Sequence, residues 1–364
     1  AYNYNTKTDV VSARIRKYES ARAAALSGDN IPAEVYDNLV AEVHKNLPAM
    51  HRYVELRKKL LGVDKLYMYD MYVPLIKLPE TSVSFEEGLD IMRDALQPLG
   101  EEYLTKMNKG IEEGWIDVYE NKGKTSGAYS FGCYDSYPYI LLNYTDTLKE
   151  VFTIIHEMGH SMHSRYTRDE QPYIYGSHSI FTAEVASTVN ESLLMQHLLR
   201  TEDEKEMRKY LLNMHLEEFR TTLFRQTMFA EFEDITHKAI ESGETLTAEW
   251  MCQQYEDLNA QYYGSAVEKD DVIRYEWARI PHFYNAFYVY KYATGYSAAT
   301  AISKKILTEG KPAAQDYIRF LKTGESDYPI ELLKIAGVDM SSPLPVQQAM
   351  ETFNQLLDEF ESLL

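Results

Sequence analysis

The chain is 364 residues long, 45% hydrophobic and 26% charged, with a formal net charge of −19 at pH 7. That apolar content is enough for a large core, while so negative a balance argues against a nucleic-acid partner. Only Cys133 and Cys252 occur, so no disulfide framework is expected, and no run of about 18 apolar residues offers a membrane span. The first residues have neither the charged nor the apolar part of a secretion signal, and a cytoplasmic location is the default expectation.

Taken in order, apolar residues recur near the helical period over residues 8–27, 33–61 and 86–112, with Asn30-Ile31-Pro32 as punctuation. Tyr67 to Val73 and Trp115 to Tyr119 are short β-prone runs. Gly127 to Asn143, rich in β-formers and bounded by glycines, predicts an edge strand able to take up a peptide backbone by strand addition. Helical periodicity returns over 148–166, 181–199, 203–241, 247–261, 284–308, 313–322 and 345–362, broken at Gly243 to Thr247, Gly310-Lys-Pro312 and Ser341 to Pro345. No repeat, low-complexity tract or flexible linker divides the chain. Residues 1–364 therefore read as one domain of two intimately packed subregions, mainly α with a small β-sheet edge.

Within the helix predicted from residue 148 stands His156-Glu157-Met158-Gly159-His160. Chance produces this His-Glu-x-x-His pattern on the order of 0.03 times in a chain of this length and composition. Residues i and i+4 share one helical face, so both imidazoles can reach one tetrahedral zinc ion, and Glu157 beside them can act on a zinc-bound water. Thr145 or Thr147 can cap this helix, and Leu148, Val151, Phe152, Ile154 and Ile155 supply its apolar stripe. Gly159 suits a helix that another element approaches closely.

A catalytic zinc needs a third protein ligand and an open position. Glu184 is the candidate: Glu184, Ser187 and Glu191 recur at helical spacing in an otherwise apolar segment. An inward-facing carboxylate is costly unless a cation compensates it. Glu191 either bonds a ligand imidazole or makes a structural hydrogen bond to a neighbouring helix. His163 reads as a buried helix residue rather than a ligand, and His178 as a loop residue more often at the surface than in a cleft. Zinc is the expected metal, although cobalt or manganese can occupy the same set.

Thirty tyrosines are many for this length. Tyr288 and Tyr292 stand at i and i+4, which on a helix projects both hydroxyls from one face, with Tyr284 extending the row and Tyr290 in reserve. A neutral donor opposite the metal stabilises the oxyanion of peptide hydrolysis, and losing one such donor costs about 2.7–4 kcal/mol. The plainer alternative is aromatic core with satisfied hydroxyls.

The segments His156-Glu-Met-Gly-His-Ser-Met-His163, Phe181-x-Ala-Glu-Val-Ala-Ser-Thr-Val-Asn-Glu191 and Pro281 to Gly295 resemble the thimet-type zinc oligopeptidases of family M3, in particular the oligoendopeptidase F branch. The likeness runs from about residue 10 to the end, taking in Lys17-Tyr-Glu-Ser-Ala, Gly127-Ala-Tyr-Ser-Phe-Gly and Gly337-Val-Asp-Met-Ser-Ser-Pro. It implies a mostly helical zincin of the gluzincin type that cleaves short peptides internally. His156, His160 and Glu184 would be the zinc ligands and Glu157 the general base. His282, Tyr288 and Tyr292 would contact the scissile carbonyl. Family members usually carry a helical lobe before the region where Ala1-Tyr-Asn-Tyr-Asn begins, and a missing N-terminal lobe of the same protein is an expected partner. Its absence gives weight to a second reading, a zinc-holding peptide-binding protein without turnover, and a helical scaffold with a purely structural metal is a third.

Overall fold

The computed structural model describes residues 1–77 and 82–364. They sort into two compact units. The first comprises Ala1–Lys77, Asn213–Thr294 and Ser341–Leu364, and the second the described part of Leu78–Leu212 with Gly295–Met340.

Four helices open the chain: α1 (Tyr2–Ile15), α2 (Ala21–Ser27), α3 (Ala33–Lys45) and α4 (Leu47–Leu61). The expected helices 8–27 and 33–61 are thus each broken once. Lys17 turns left-handed at φ 65°, and Ser20 caps the restart by accepting the Ala23 N–H at 2.9 Å. Asn46 and Pro48 interrupt the second without disturbing its apolar period. The run from Tyr67 to Val73 is not a strand. It forms a short 3₁₀ turn, Met68–Tyr72, because the buried Arg57 needs acceptors and donates to the Asp70 and Val73 carbonyls at 3.1 and 2.6 Å.

In the second unit α5 (Phe85–Ala95) begins on a capping box, Ser84 accepting the Glu87 N–H and Glu87 the Ser84 N–H. Pro98 and Gly100 separate it from α6 (Glu101–Glu112), so the predicted 86–112 helix is also divided. Strands β1 (Ile116–Asp117), β2 (Tyr129–Phe131) and β3 (Tyr139–Leu141) form a sheet ordered β1-β3-β2, with β1 parallel and β2 antiparallel to β3. The Gly127 to Asn143 segment therefore supplies a central strand as well as the edge strand β2.

Then come α7 (Leu148–Glu170), α8 (Ile180–Thr201) and α9 (Lys205–Glu218). A π-helical turn, Phe219–Phe224, leads into α10 (Arg225–Glu241), followed by α11 (Ala248–Tyr263), α12 (Tyr290–Glu309), α13 (Lys311–Leu321), α14 (Pro329–Ile335) and α15 (Leu344–Leu363). Two turns of α14 are too short for a periodic pattern to reveal.

The core of the second unit is built on α7 and α8, where Ile154, Ile155, Met158, Val185, Val189 and Leu194 are fully buried. In the first unit Phe353 of α15 is a hub, its ring 5.0 Å from Phe224, 5.7 Å from Phe219 and 6.4 Å from Tyr53. The class is mainly α with a small sheet, as expected. Among the described residues no helix is long and apolar enough to cross a membrane.

Candidate metal centre and active site

The two histidines of the motif lie one turn apart on α7, with Nε2 atoms 3.2 Å from each other. Each Nε2 is 3.6 Å from Oε2 of Glu184 on α8. Ligands at about 2.0–2.2 Å from one tetrahedral ion stand about 3.3–3.6 Å apart. The donor set therefore fits a single zinc ion, and among the described residues it is the only such group of three or more His, Cys, Asp or Glu.

Helix α8 supplies more than Glu184. Glu191, two turns beyond Glu184, lies 3.3 Å from Nδ1 of His156. The Ala183 carbonyl bonds the imidazole of His160. With its Nδ1 engaged by Glu191, the His156 ring turns its Nε2 lone pair to the common point, the arrangement that orients metal-bound histidines. The Ser187 hydroxyl donates to the Glu184 carbonyl and carboxylate at 3.0 and 3.2 Å, steadying the acid.

Gly159 explains how the helices come so near. A Cβ there would sit 2.6 Å from the Ser187 Cα and 2.7 Å from the Ala186 oxygen, both backbone atoms. Only glycine lets the α8 backbone rest on α7 at this point. Asn190 adds a bond to the Ile155 carbonyl at 3.2 Å. Thr147 takes the N-cap position of α7, but its hydroxyl makes no cap bond.

Glu157 is 8% exposed, and burial raises its carboxyl above the usual range, opposed by the nearby His156 charge and the Ser130 backbone N–H. Ser130 belongs to β2, and its hydroxyl meets that of Ser161 on α7 at 2.8 Å. Burial pulls His156 down, but the hydrogen bond and charge of Glu191, with Glu157 and Glu184, outweigh it and raise the ring to about 9. His160 is lowered to about 4 by burial and by the neighbouring His156 charge. With its pKa raised by burial, the Glu157 carboxyl is suited to taking and returning a proton.

His163 is buried, as expected. His178 is not a free surface residue: its ring stacks on His163 at 3.8 Å and 16°. Burial, with the Arg168 charge, lowers His178 to about 3.

His282, Tyr288 and Tyr292 belong to the first unit. Their rings cluster, with centroids 6.0 Å between His282 and Tyr288, 6.1 Å between His282 and Tyr292, and 5.6 Å between the two tyrosines. The tyrosines do not meet as helical i and i+4 neighbours, since α12 starts only at Tyr290 and Tyr288 precedes it. Tyr290 is fully buried against Tyr36, at 5.2 Å, and Tyr284 is half exposed. The roles of Ala183, Ser130 and Ser161 have no signal in residue spacing, because each contact joins separate elements.

Comparison with known proteins agrees over almost the whole length. The sequence profile of peptidase family M3 matches residues 2–352. Oligopeptidase PepF of Bacillus subtilis (strain 168) is 54% identical over 358 residues, covering 98% of this chain and 53% of its own. A solved structure from Chlamydophila abortus matches with a TM-score of 0.94 at 43% identity, over 100% of this chain and 61% of that one. Oligoendopeptidase-F from Enterococcus faecium gives 0.81 and 42%, over 98% and 58%. The chain thus spans somewhat more than half the length of these relatives. A match running from residue 2 to residue 352 places it in peptidase family M3, in the oligoendopeptidase F branch.

Proposed function

We propose that the protein is a zinc-dependent endopeptidase that hydrolyses internal bonds of short peptides. The observation that carries this reading is the spacing of three donors, 3.2, 3.6 and 3.6 Å, with Glu157 next to them in the helix. His156, His160 and Glu184 hold the ion, and Glu191 and the Ala183 carbonyl keep the imidazoles turned towards it. When bound, zinc lowers the pKa of a coordinated water towards about 7 and polarises the scissile carbonyl.

Glu157 takes the proton of the attacking water and returns it to the leaving amine, so its carboxyl is charged before attack and neutral between the two transfers. Its burial favours that neutral interval. Tyr288 and Tyr292, with His282, donate to the oxygen on which negative charge develops, a role supported by their clustering and by the family likeness. Strand β2, at the sheet edge and tied to α7 through Ser130 and Ser161, is suited to pair with an extended peptide backbone. Such pairing gives affinity with little demand on sequence. A cytoplasmic location belongs to the same reading and suits two unpaired cysteines.

The test is Glu157→Gln assayed on a fluorogenic peptide alongside zinc content. The variant should bind zinc as before while turnover falls by about 10²–10⁴-fold. Turnover near the parent rate removes Glu157 from the mechanism.

A further inference from the structure

Between Tyr284 and α12 the first unit makes one left-handed step, at Phe287, where φ is 55°. A side chain in that conformation is strained, and glycine or asparagine is the usual occupant. Phe287 is held there by its surroundings. Its ring is 2% exposed, with centroids 4.6 Å from His237 and 5.9 Å from Tyr36. Its N–H donates to Oε1 of Glu233 at 3.0 Å.

Glu233 is wholly inside α10, and its Oε2 has no hydrogen-bond partner. Burial drives its carboxyl well above the usual range against the opposing bond from Phe287, and the Asp9 charge adds to the rise. Packing alone gives no reason for a carboxyl in this place, since an unpaired buried oxygen is costly. What it does hold is a strained turn, and the next residue is Tyr288. Strain of this kind gathers at functional sites.

We propose that Glu233 is a positioning residue for Tyr288: by holding the Phe287 amide in the left-handed turn, it sets the direction in which the Tyr288 side chain leaves the backbone and keeps its ring beside His282 and Tyr292. The functional half of this inference rests on the reading of Tyr288 as an oxyanion donor. Glu233 acts only through the turn, one peptide unit away.

The experiment combines Glu233→Gln, Glu233→Leu, Tyr288→Phe and the double variant Glu233→Leu/Tyr288→Phe in the full chain, with peptide kinetics and crystal structures. Glutamine keeps an acceptor for the Phe287 N–H, so Glu233→Gln should keep kcat within about twofold and the ring of Tyr288 in place. Glu233→Leu should displace that ring and lower kcat by about 10- to 100-fold at nearly constant KM, a part of what a whole donor is worth. The double variant should be no slower than Tyr288→Phe alone, as residues acting through one group are not additive. If Glu233→Leu does not fold, Glu233→Asp, which withdraws the carboxyl by one methylene, takes its place with the same outcomes expected. Retained kcat with an unmoved ring overturns the proposal, and so does a loss that adds in full to that of Tyr288→Phe. A displaced ring together with unchanged kcat in Tyr288→Phe instead refutes the donor role of Tyr288 and upholds Glu233 as the residue that places it.

Discussion

At the scale of single residues, Glu191 bears on the proposed metal site without being one of its three donors. Its carboxylate lies 3.3 Å from Nδ1 of His156, so it selects the tautomer that leaves Nε2 free to coordinate. Glu191→Ala should weaken zinc binding by about 10- to 100-fold, read by competition with a chelator, and an unchanged affinity would reduce Glu191 to a structural acid. His215 makes a different point. It is buried against Phe219 at 5.3 Å, its Nδ1 has no hydrogen-bond partner, and burial lowers the ring to about 4. The unfolded chain protonates this histidine below about 6.5, whereas the folded chain resists until about 4. The unfolded state therefore binds more protons across that window, and stability falls as the pH falls through it. Urea unfolding should show His215 contributing about 2 kcal/mol to the loss between pH 7 and pH 5. His215→Leu should flatten the profile by that amount.

At the scale of elements, the metal set depends on how two helices touch. Glu184 is one turn before Ser187, the residue whose Cα would be 2.6 Å from a Cβ at position 159. Gly159→Ala improves helix propensity by about 1 kcal/mol, but the added carbon meets backbone that cannot rotate away. We expect α8 to be pushed from α7, with a net cost of about 1–2 kcal/mol in thermal or urea unfolding and a clear loss of bound zinc. A variant with native metal content would show that the helices part without moving the acid. The elements also show where periodicity misleads. The expected helices 8–27, 33–61 and 86–112 are each two helices, since apolar spacing continues across a turn such as that at Lys17 or Asn46 while the backbone does not. Tyr67 to Val73 has β-forming residues but takes a 3₁₀ turn because Arg57 claims its carbonyls.

At the scale of the molecule, the two units are each assembled from segments distant in sequence, and two of their boundaries fall inside helices α9 and α12. No linker composition marks them, because they are defined by which surfaces pack and not by a change in residue type. A ligand that binds only the folded chain stabilises it in proportion to the logarithm of its excess, by about 4 kcal/mol at a thousandfold over the dissociation constant. Zinc should therefore raise the melting temperature, and a chelator should lower it reversibly. Glu184→Ala should abolish this shift and Glu157→Gln should preserve it, a contrast that separates holding the ion from using it. An equal response in both variants would remove Glu184 from the ligand set.

Legible along the chain alone were the helix that carries His156 and His160, the face they share, the adjacency of Glu157 and the mainly helical class. These follow from local periodicity, since a 3.6-residue repeat fixes which side chains point the same way. It also marked Glu184 and Glu191, as polar residues recurring on one side of an apolar helix. Packing alone reveals that α8 brings Glu184 within 3.6 Å of both imidazoles, that Glu191 and Ala183 contact those rings, that Phe287 is left-handed with its N–H on Glu233, and that Tyr288 lies beside His282. Such contacts join residues of separate elements, and nothing in the spacing along the chain encodes the distance between elements until they pack.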